Sequence, residues 1–153
     1  MTSHDSETPA EPRAESIGHL RDVLGFRIRL AHGAVYRHFT ESFAELDLTQ
    51  KQVSALWLVD DHPGIAQTGI AARMRMDRAT TMGIVNKLQA RGFLVRLPSP
   101  SDGRKQALEL TAAGRAALAQ ARDAVERHEH WLRARFTPRE AETLARLLQR
   151  IYE

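Results

Sequence analysis

The side chains best suited to chemistry in this 153-residue chain crowd into one stretch. Residues 66–110 carry Arg73, Arg75, Arg78, Lys87, Arg91, Arg96, Arg104 and Lys105 against Asp77, Asp102 and Glu109, a local excess of five positive charges. The first twenty residues carry Asp5, Glu7, Glu11 and Glu15 against Arg13. A formal net charge of +3 therefore hides a basic patch and an acidic tail. Of the 22 basic residues only Lys51, Lys87 and Lys105 are lysine. A guanidinium is a planar fork of donors that matches phosphate and carboxylate oxygens. Basic side chains gathered on one surface are the electrostatic footprint of a protein that neutralises a phosphate backbone.

Other chemistries find less support. The chain has no cysteine, which excludes a disulfide scaffold, a Cys-ligated zinc site, an iron–sulfur cluster and a thiol redox sensor. Seven histidines invite a metal reading. However, His128 and His130 are two apart on a helical pattern and face different ways, and Glu126 with His130 supplies only two ligands. No metal site is expected. No phosphate-cradling glycine loop, activated nucleophile or paired carboxylates occur, so neither enzymatic activity nor a cofactor is expected. No apolar run approaches the roughly 18 residues of a membrane span. The first twenty residues lack the pattern of a secretory signal, which points to the cytoplasm.

The elements that must position the basic patch follow from periodicity and caps. Residues 1–15 are acidic and rich in Ser, Thr, Pro and Glu, and read as a disordered tail. Residues 16–46 contain no Pro, and Leu20, Val23, Leu24, Arg27, Ile28, Ala31, Val35, Phe39 and Phe43 share one stripe. The spacing predicts a single helix of about 30 residues, ~45 Å long, part of whose stripe meets a second chain. Thr49 with Gln52 forms a capping box for a helix carrying Val53, Leu56, Trp57 and Val59. After Pro63-Gly64 a short helix spans about residues 67–74. Asp77 caps another that runs to Arg91 and stops at Gly92. In that helix Thr81, Ile84, Val85 and Leu88 face inward, and Arg78, Ala79, Met82, Gly83, Asn86 and Lys87 lie on or near the other face. Residues 93–97 and 106–110 read as a hairpin whose tip holds Asp102, Arg104 and Lys105. A helix from Thr111 to about Arg135 follows, and Thr137-Pro138-Arg139-Glu140 opens the last one, which carries Leu144, Leu147, Leu148 and Ile151.

With those elements in place, residues 48–114 resemble the MarR family of winged helix–turn–helix regulators. Asp102-Gly103-Arg104, followed by Leu110-Thr111-Ala112-Ala113-Gly114, is similar to the family's Asp-x-Arg wing motif and its Leu-Thr-x-x-Gly junction. Arg91-Gly92-Phe93-Leu94-Val95-Arg96 is similar to the family's run before the wing. The resemblance implies a mostly α fold with a small β-hairpin wing, divided into a dimerisation helix at 16–47, a DNA-binding lobe at 48–110 and C-terminal dimerisation helices at 111–153. It also implies a homodimer on a pseudo-palindromic operator in double-stranded DNA, acting as a repressor released by a small, aromatic, anionic ligand. Without cysteine, the family's thiol-oxidation route is closed. An activator or constitutive DNA binder, and an interaction module that no longer touches DNA, are the alternative readings.

Particular residues then acquire expected roles. Arg78 and Lys87 would contact phosphate, assisted by free N–H groups at the helix N-terminus. Thr80 could donate to a phosphate or touch a base, and Asn86 could read adenine. Many family members have Ser or Thr and then Arg where this chain has Met82 and Gly83. Base reading is therefore expected to lean on Ala79 and Met82 against thymine methyls, on DNA shape, and on close backbone approach at Gly83. Arg104 at the wing tip suits a narrow minor groove. Asp102 would orient an arginine by a charge-assisted hydrogen bond, and Lys105 adds charge. For a ligand, the candidates are Arg27, His32, Tyr36, Phe39 and Trp57, although aromatics at helical spacing are also ordinary core.

Overall fold

The computed structural model describes residues 18–153. The acidic tail expected at 1–15 lies outside the described residues. Residues up to Ala34 form one compact unit and Val35–Glu153 a second.

The elements follow in the order 3-10 turn (Gly18–Asp22), α1 (Leu24–Ser42), 3-10 turn (Ala44–Leu46), α2 (Gln50–Asp61), α3 (Gln67–Met74), α4 (Arg78–Ala90), β1 (Leu94–Pro98), β2 (Gln106–Leu110), α5 (Ala112–Arg133) and α6 (Pro138–Tyr152). The fold is mostly α with one antiparallel hairpin, as expected. Every local cap read from the sequence forms. Thr49 and Thr137 make capping boxes with Gln52 and Glu140. The side chains of Asp77 and Thr111 accept from the N–H groups of Thr80 and Gly114.

The first helix departs from expectation. It is a 19-residue α-helix with a 3-10 turn on either side, not a continuous rod of 30 residues. Within the first unit, Arg27 Nε donates to the Arg21 carbonyl at 2.5 Å and closes the leading turn. At the other end the chain turns between Phe43, which is fully buried, and Asp47, which adopts a left-handed conformation. Arg91 donates to the carbonyls of Asp47 and Leu46, the latter at 3.2 Å. A side chain more than forty residues downstream thus satisfies the carbonyls that the 3-10 turn after α1 leaves open.

The core of the second unit is built from Phe39, Phe43, Val53, Leu56, Val59, Ile70, Val85, Leu88, Leu94, Leu108, Leu118, Ala121 and Ala124. The hairpin pairs Leu94 with Leu110 through to Pro98 with Gln106. An isolated β-bridge between Ile65 and Leu108, which the sequence did not reveal, extends the hairpin by one pairing. Gly64 N–H donates to Leu108 O and Leu108 N–H to Ile65 O, both at 3.0 Å, tying the wing to the α2–α3 connection.

Gly114 explains its place in the Leu-Thr-x-x-Gly motif. A Cβ there would sit 2.0 Å from the Phe93 carbonyl oxygen, which already accepts from Thr111 N–H at 3.1 Å. Thr111 Oγ1 also donates to Gly92 O at 2.5 Å. The helix after the wing is therefore clamped backbone to backbone onto the segment before it.

Candidate nucleic-acid interface

The α3–turn–α4 unit presents α4 with one face sunk in the core and one face open. Thr81, Val85 and Leu88 are buried. Arg78, Ala79, Thr80, Met82, Gly83, Asn86 and Lys87 are all exposed. Met82 is 50% exposed and adds an apolar contact to this open face. A Cβ built on Gly83 would meet nothing within 4 Å. Packing within the protomer therefore supplies no reason for a glycine there.

Three details of the expected roles change. Asp77 takes for itself the N-terminal groups of α4: Thr80 N–H donates to it at 2.8 Å and Thr80 Oγ1 at 2.6 Å. The Thr80 hydroxyl hydrogen bond, followed by the backbone one, holds the Asp77 carboxyl below the usual aspartate range. One of the N–H donors expected to be free for phosphate, that of Thr80, is thus occupied by the cap, and the Thr80 hydroxyl has already spent its proton.

Asn86 is likewise engaged. Its Oδ1 accepts from Arg96 Nη2 at 2.7 Å, so β1 fixes the orientation of the amide and leaves one lone pair of that oxygen for a base. Arg96, on β1, also donates to Gln89 Oε1 and, at 3.2 Å, to Gln67 Oε1. One guanidinium brackets α3, α4 and the wing, a role that its place in the basic patch did not disclose. At the wing tip, Asp102 Oδ1 accepts from the backbone N–H of Arg104 at 3.1 Å, and Oδ2 lies 3.9 Å from Lys105 Nζ. Asp102 therefore shapes the turn through the backbone and does not hold an arginine side chain. The Arg104 guanidinium is exposed and makes no ion pair or hydrogen bond among the described residues.

Beside this surface lie two cavities in the second unit. The larger, about 580 Å³, is lined by Tyr36, Phe39, Asp47, Gln50, Lys87 and Arg91 among others. The smaller, about 320 Å³, is lined by Phe39, Gln50, Val53, Ser54, Trp57, Leu58, Val125 and His128. Phe39 and Gln50 border both. Phe39 also stacks on Phe43 at 3.9 Å between ring centroids, so it serves core and cavity together. The Arg122 guanidinium lies 4.7 Å from the centre of the Trp57 ring and donates to Asp60 at 2.7 Å. Of the five candidate ligand residues, Tyr36, Phe39 and Trp57 line these cavities. Arg27 and His32 are exposed and belong to the first unit. Lys87, read as a phosphate contact, borders the larger cavity as well.

Sequence reasoning missed His38 and His128. Their Nδ1 atoms lie 2.8 Å apart. Burial, then the neighbouring His38, pushes the His128 imidazole below its ordinary pKa. The signal available in sequence was faint: a histidine at an inward position of an Ala-rich helix. His130, two residues on, is exposed, as their spacing required. Among the described residues no three His, Asp or Glu side chains gather to hold a metal, and no helix is long and apolar enough to cross a membrane.

A helix–turn–helix with an exposed second helix, joined to a hairpin with a basic tip, defines a winged helix–turn–helix DNA-binding lobe. Residues 46–105 match the MarR family. A Thauera aromatica protein assigned as a transcriptional regulatory protein for the hcr operon is 32% identical over 154 residues, spanning 99% of this chain and 93% of its own. Among solved structures, the transcriptional repressor CouR bound to a 23-mer DNA duplex matches with a TM-score of 0.83 and 36% identity, over 89% of this chain and 96% of that one. CouR bound to p-coumaroyl-CoA matches with a TM-score of 0.83 and 33% identity, over 91% and 98%. The chain belongs to the MarR family.

Proposed function

We propose that this chain is a homodimeric transcriptional repressor that binds a pseudo-palindromic operator and is released by a small aromatic anion. The observation that carries the reading is the open face of α4 and the Arg104 wing tip, which together offer cations and apolar contacts to a groove and to phosphates. Two cavities rich in aromatic side chains, one bordered by Lys87 and Arg91, suit an aromatic ring carrying negative charge. CouR, similar over most of the chain, has been seen with both a DNA duplex and an aromatic thioester, which supports both halves of the reading. The apolar faces of α1 and α6 supply the material for a dimer. The protein acts in the cytoplasm and binds without catalysing.

A gel shift with the DNA upstream of its own gene, across a salt series, tests the reading. A band at low salt that weakens steeply as salt rises is expected. No band would favour an interaction module, and a band that no aromatic acid or thioester dissociates would favour a constitutive binder. Arg104→Ala should weaken operator binding tenfold or more, about 1.4 kcal/mol. Unchanged affinity would remove the wing from the interface.

A further inference from the structure

We propose that the His38–His128 pair is the anion-reading element of the smaller cavity, so that an aromatic carboxylate enters that cavity together with one proton taken from solvent. The inference rests on the effector reading above and specifies its chemistry.

The cavity is nearly all apolar. Phe39, Val53, Trp57, Leu58 and Val125 form its walls, and Gln50 and Ser54 are its neutral polar groups. Of the lining residues only His128 can acquire a charge near neutral pH. At about 320 Å³ the space lies at the small end of ligand pockets and fits a single-ring acid. A carboxylate cannot be buried among such walls without a charged, hydrogen-bonding partner.

His128 is held ready to be that partner. It is 6% exposed, with the Phe39 ring at 82° to its own and the Trp131 ring 5.6 Å away. With the two Nδ1 atoms 2.8 Å apart, one must carry a hydrogen and the other a lone pair. A second added proton would set two N–H groups against each other, so the pair holds at most one positive charge. The surrounding charges do not settle that proton in the free protein. Glu129 on α5 favours it but is shared with Arg133 at 3.2 Å, and the Arg135 guanidinium sits 3.7 Å from the Trp131 ring centre. Ser42 on α1 approaches His38 Nδ1 at 3.4 Å; α2 lines the cavity with neutral groups only, and the Arg122 guanidinium over its Trp57 is paired with Asp60 at 2.7 Å. Burial, then the paired ring, lowers the His128 pKa, so the empty cavity disfavours a charge on His128. An arriving carboxylate supplies the missing counter-charge. The Trp131 ring, stacked on His38 at 3.8 Å and 5.6 Å from the His128 ring, offers its face to the imidazolium then formed.

The test is calorimetric titration of the full-length protein with benzoate, and with benzamide as the neutral control, in buffers of different ionisation enthalpy. Near pH 7.5 benzoate should bind with close to one proton taken up per protomer. Its Kd should rise about tenfold per pH unit above pH 7 and level off where the free pair becomes protonated. Benzamide should show neither effect. His128→Gln should abolish the proton uptake. His38→Gln should keep it but displace the break in the profile from its wild-type position, because the hydrogen bond between the two Nδ1 atoms is gone, an effect that a purely packing role would not produce. Operator affinity and melting temperature of both variants report their folding. If His128→Gln does not fold, the wild-type proton count and the His38→Gln profile still decide. Benzoate binding without proton uptake, uptake retained in a folded His128→Gln, or no benzoate binding at pH 6 would each overturn the proposal. Operator release is scored separately. Release without proton linkage overturns this inference and leaves the effector reading standing. Proton-linked binding without release does the reverse.

Discussion

Helices α4 and α6 are of similar length, 13 and 15 residues, and both are amphipathic, yet their apolar faces meet different fates. The apolar face of α4 is buried against its own chain, and its polar face is left for another molecule. In α6 no residue is buried: Leu144, Leu147, Leu148, Ile151 and Tyr152 are all more than a third exposed. One ring contact is seen, from the Arg75 guanidinium 5.5 Å above Tyr152. The difference separates a lobe that one chain completes from a face that one chain leaves open. Contiguous exposed apolar surface of this kind marks a protein interface. With the aliphatic residues of the first unit, Leu20, Val23, Leu24, Ile28 and Leu30, also exposed, a second copy is the natural cover.

The comparison is open to experiment, beginning with its largest effect. Phe43→Ala, in the completed lobe, should cost about 3–5 kcal/mol in urea denaturation, by the same amount at every protein concentration. Leu147→Ala, in the open face, should act on association. A loss of about 2 kcal/mol, roughly thirtyfold in the dimer dissociation constant, is expected by sedimentation equilibrium. If Leu147→Ala left the dimer intact and lowered stability independently of concentration, the contrast between the helices would collapse. Gly83→Ala sharpens the account of the α4 open face. It should raise thermal stability by up to ~1 kcal/mol, because a methyl group there meets nothing within the protomer. It should at the same time lower operator affinity, because the backbone can no longer approach the duplex. A rise in both would remove the proposed reason for the glycine.

The smallest effect concerns the Asp77 cap. Its carboxyl is held below the ordinary aspartate range in the folded protein, by the Thr80 hydroxyl first. Such a group stabilises the fold at pH values above its unfolded pKa, and that contribution is lost as pH falls through the lower folded pKa. Asp77→Asn should therefore melt below the wild type at about pH 6, and the gap should close towards about pH 2–3. A constant gap across that range would show that the charge plays no part.

What the sequence disclosed was what neighbouring residues decide. Thr49, Asp77 and Thr137 each cap the helix that starts beside them, and all three were legible. The inward and outward faces of α4 followed from a period of 3.6 alone. What stayed hidden depends on distant partners. The carbonyls closing the 3-10 turn after α1 are met by Arg91, the bridge at Ile65 by Leu108, and the Asn86 amide by Arg96. The histidine pair joins residues ninety positions apart, and no local pattern announces it. The wing tip misled for a different reason. Asp102 and Arg104 suggested a side-chain pair, whereas the tight turn brings the Arg104 amide to the carboxylate first.

The bracket at Arg96 gives the lobe a mechanical property. All of its acceptors are neutral amide oxygens on α3 and α4. Salt that screens phosphate contacts has far less effect on such bonds, so the reading helix and the wing stay joined when DNA is lost. Their relative position is set during folding, and the entropy of arranging them is not lost again at the operator. Joined parts also move together. A 13-residue helix is about 20 Å long, so a rotation of roughly 10° about one end carries the other by about 3.5 Å, more than the length of a hydrogen bond. Lys87, Ala90 and Arg91 border the larger cavity at one end of that lever, and Arg78 stands at the other. A small displacement at the cavity would then lift helix and wing from their grooves in a single stroke.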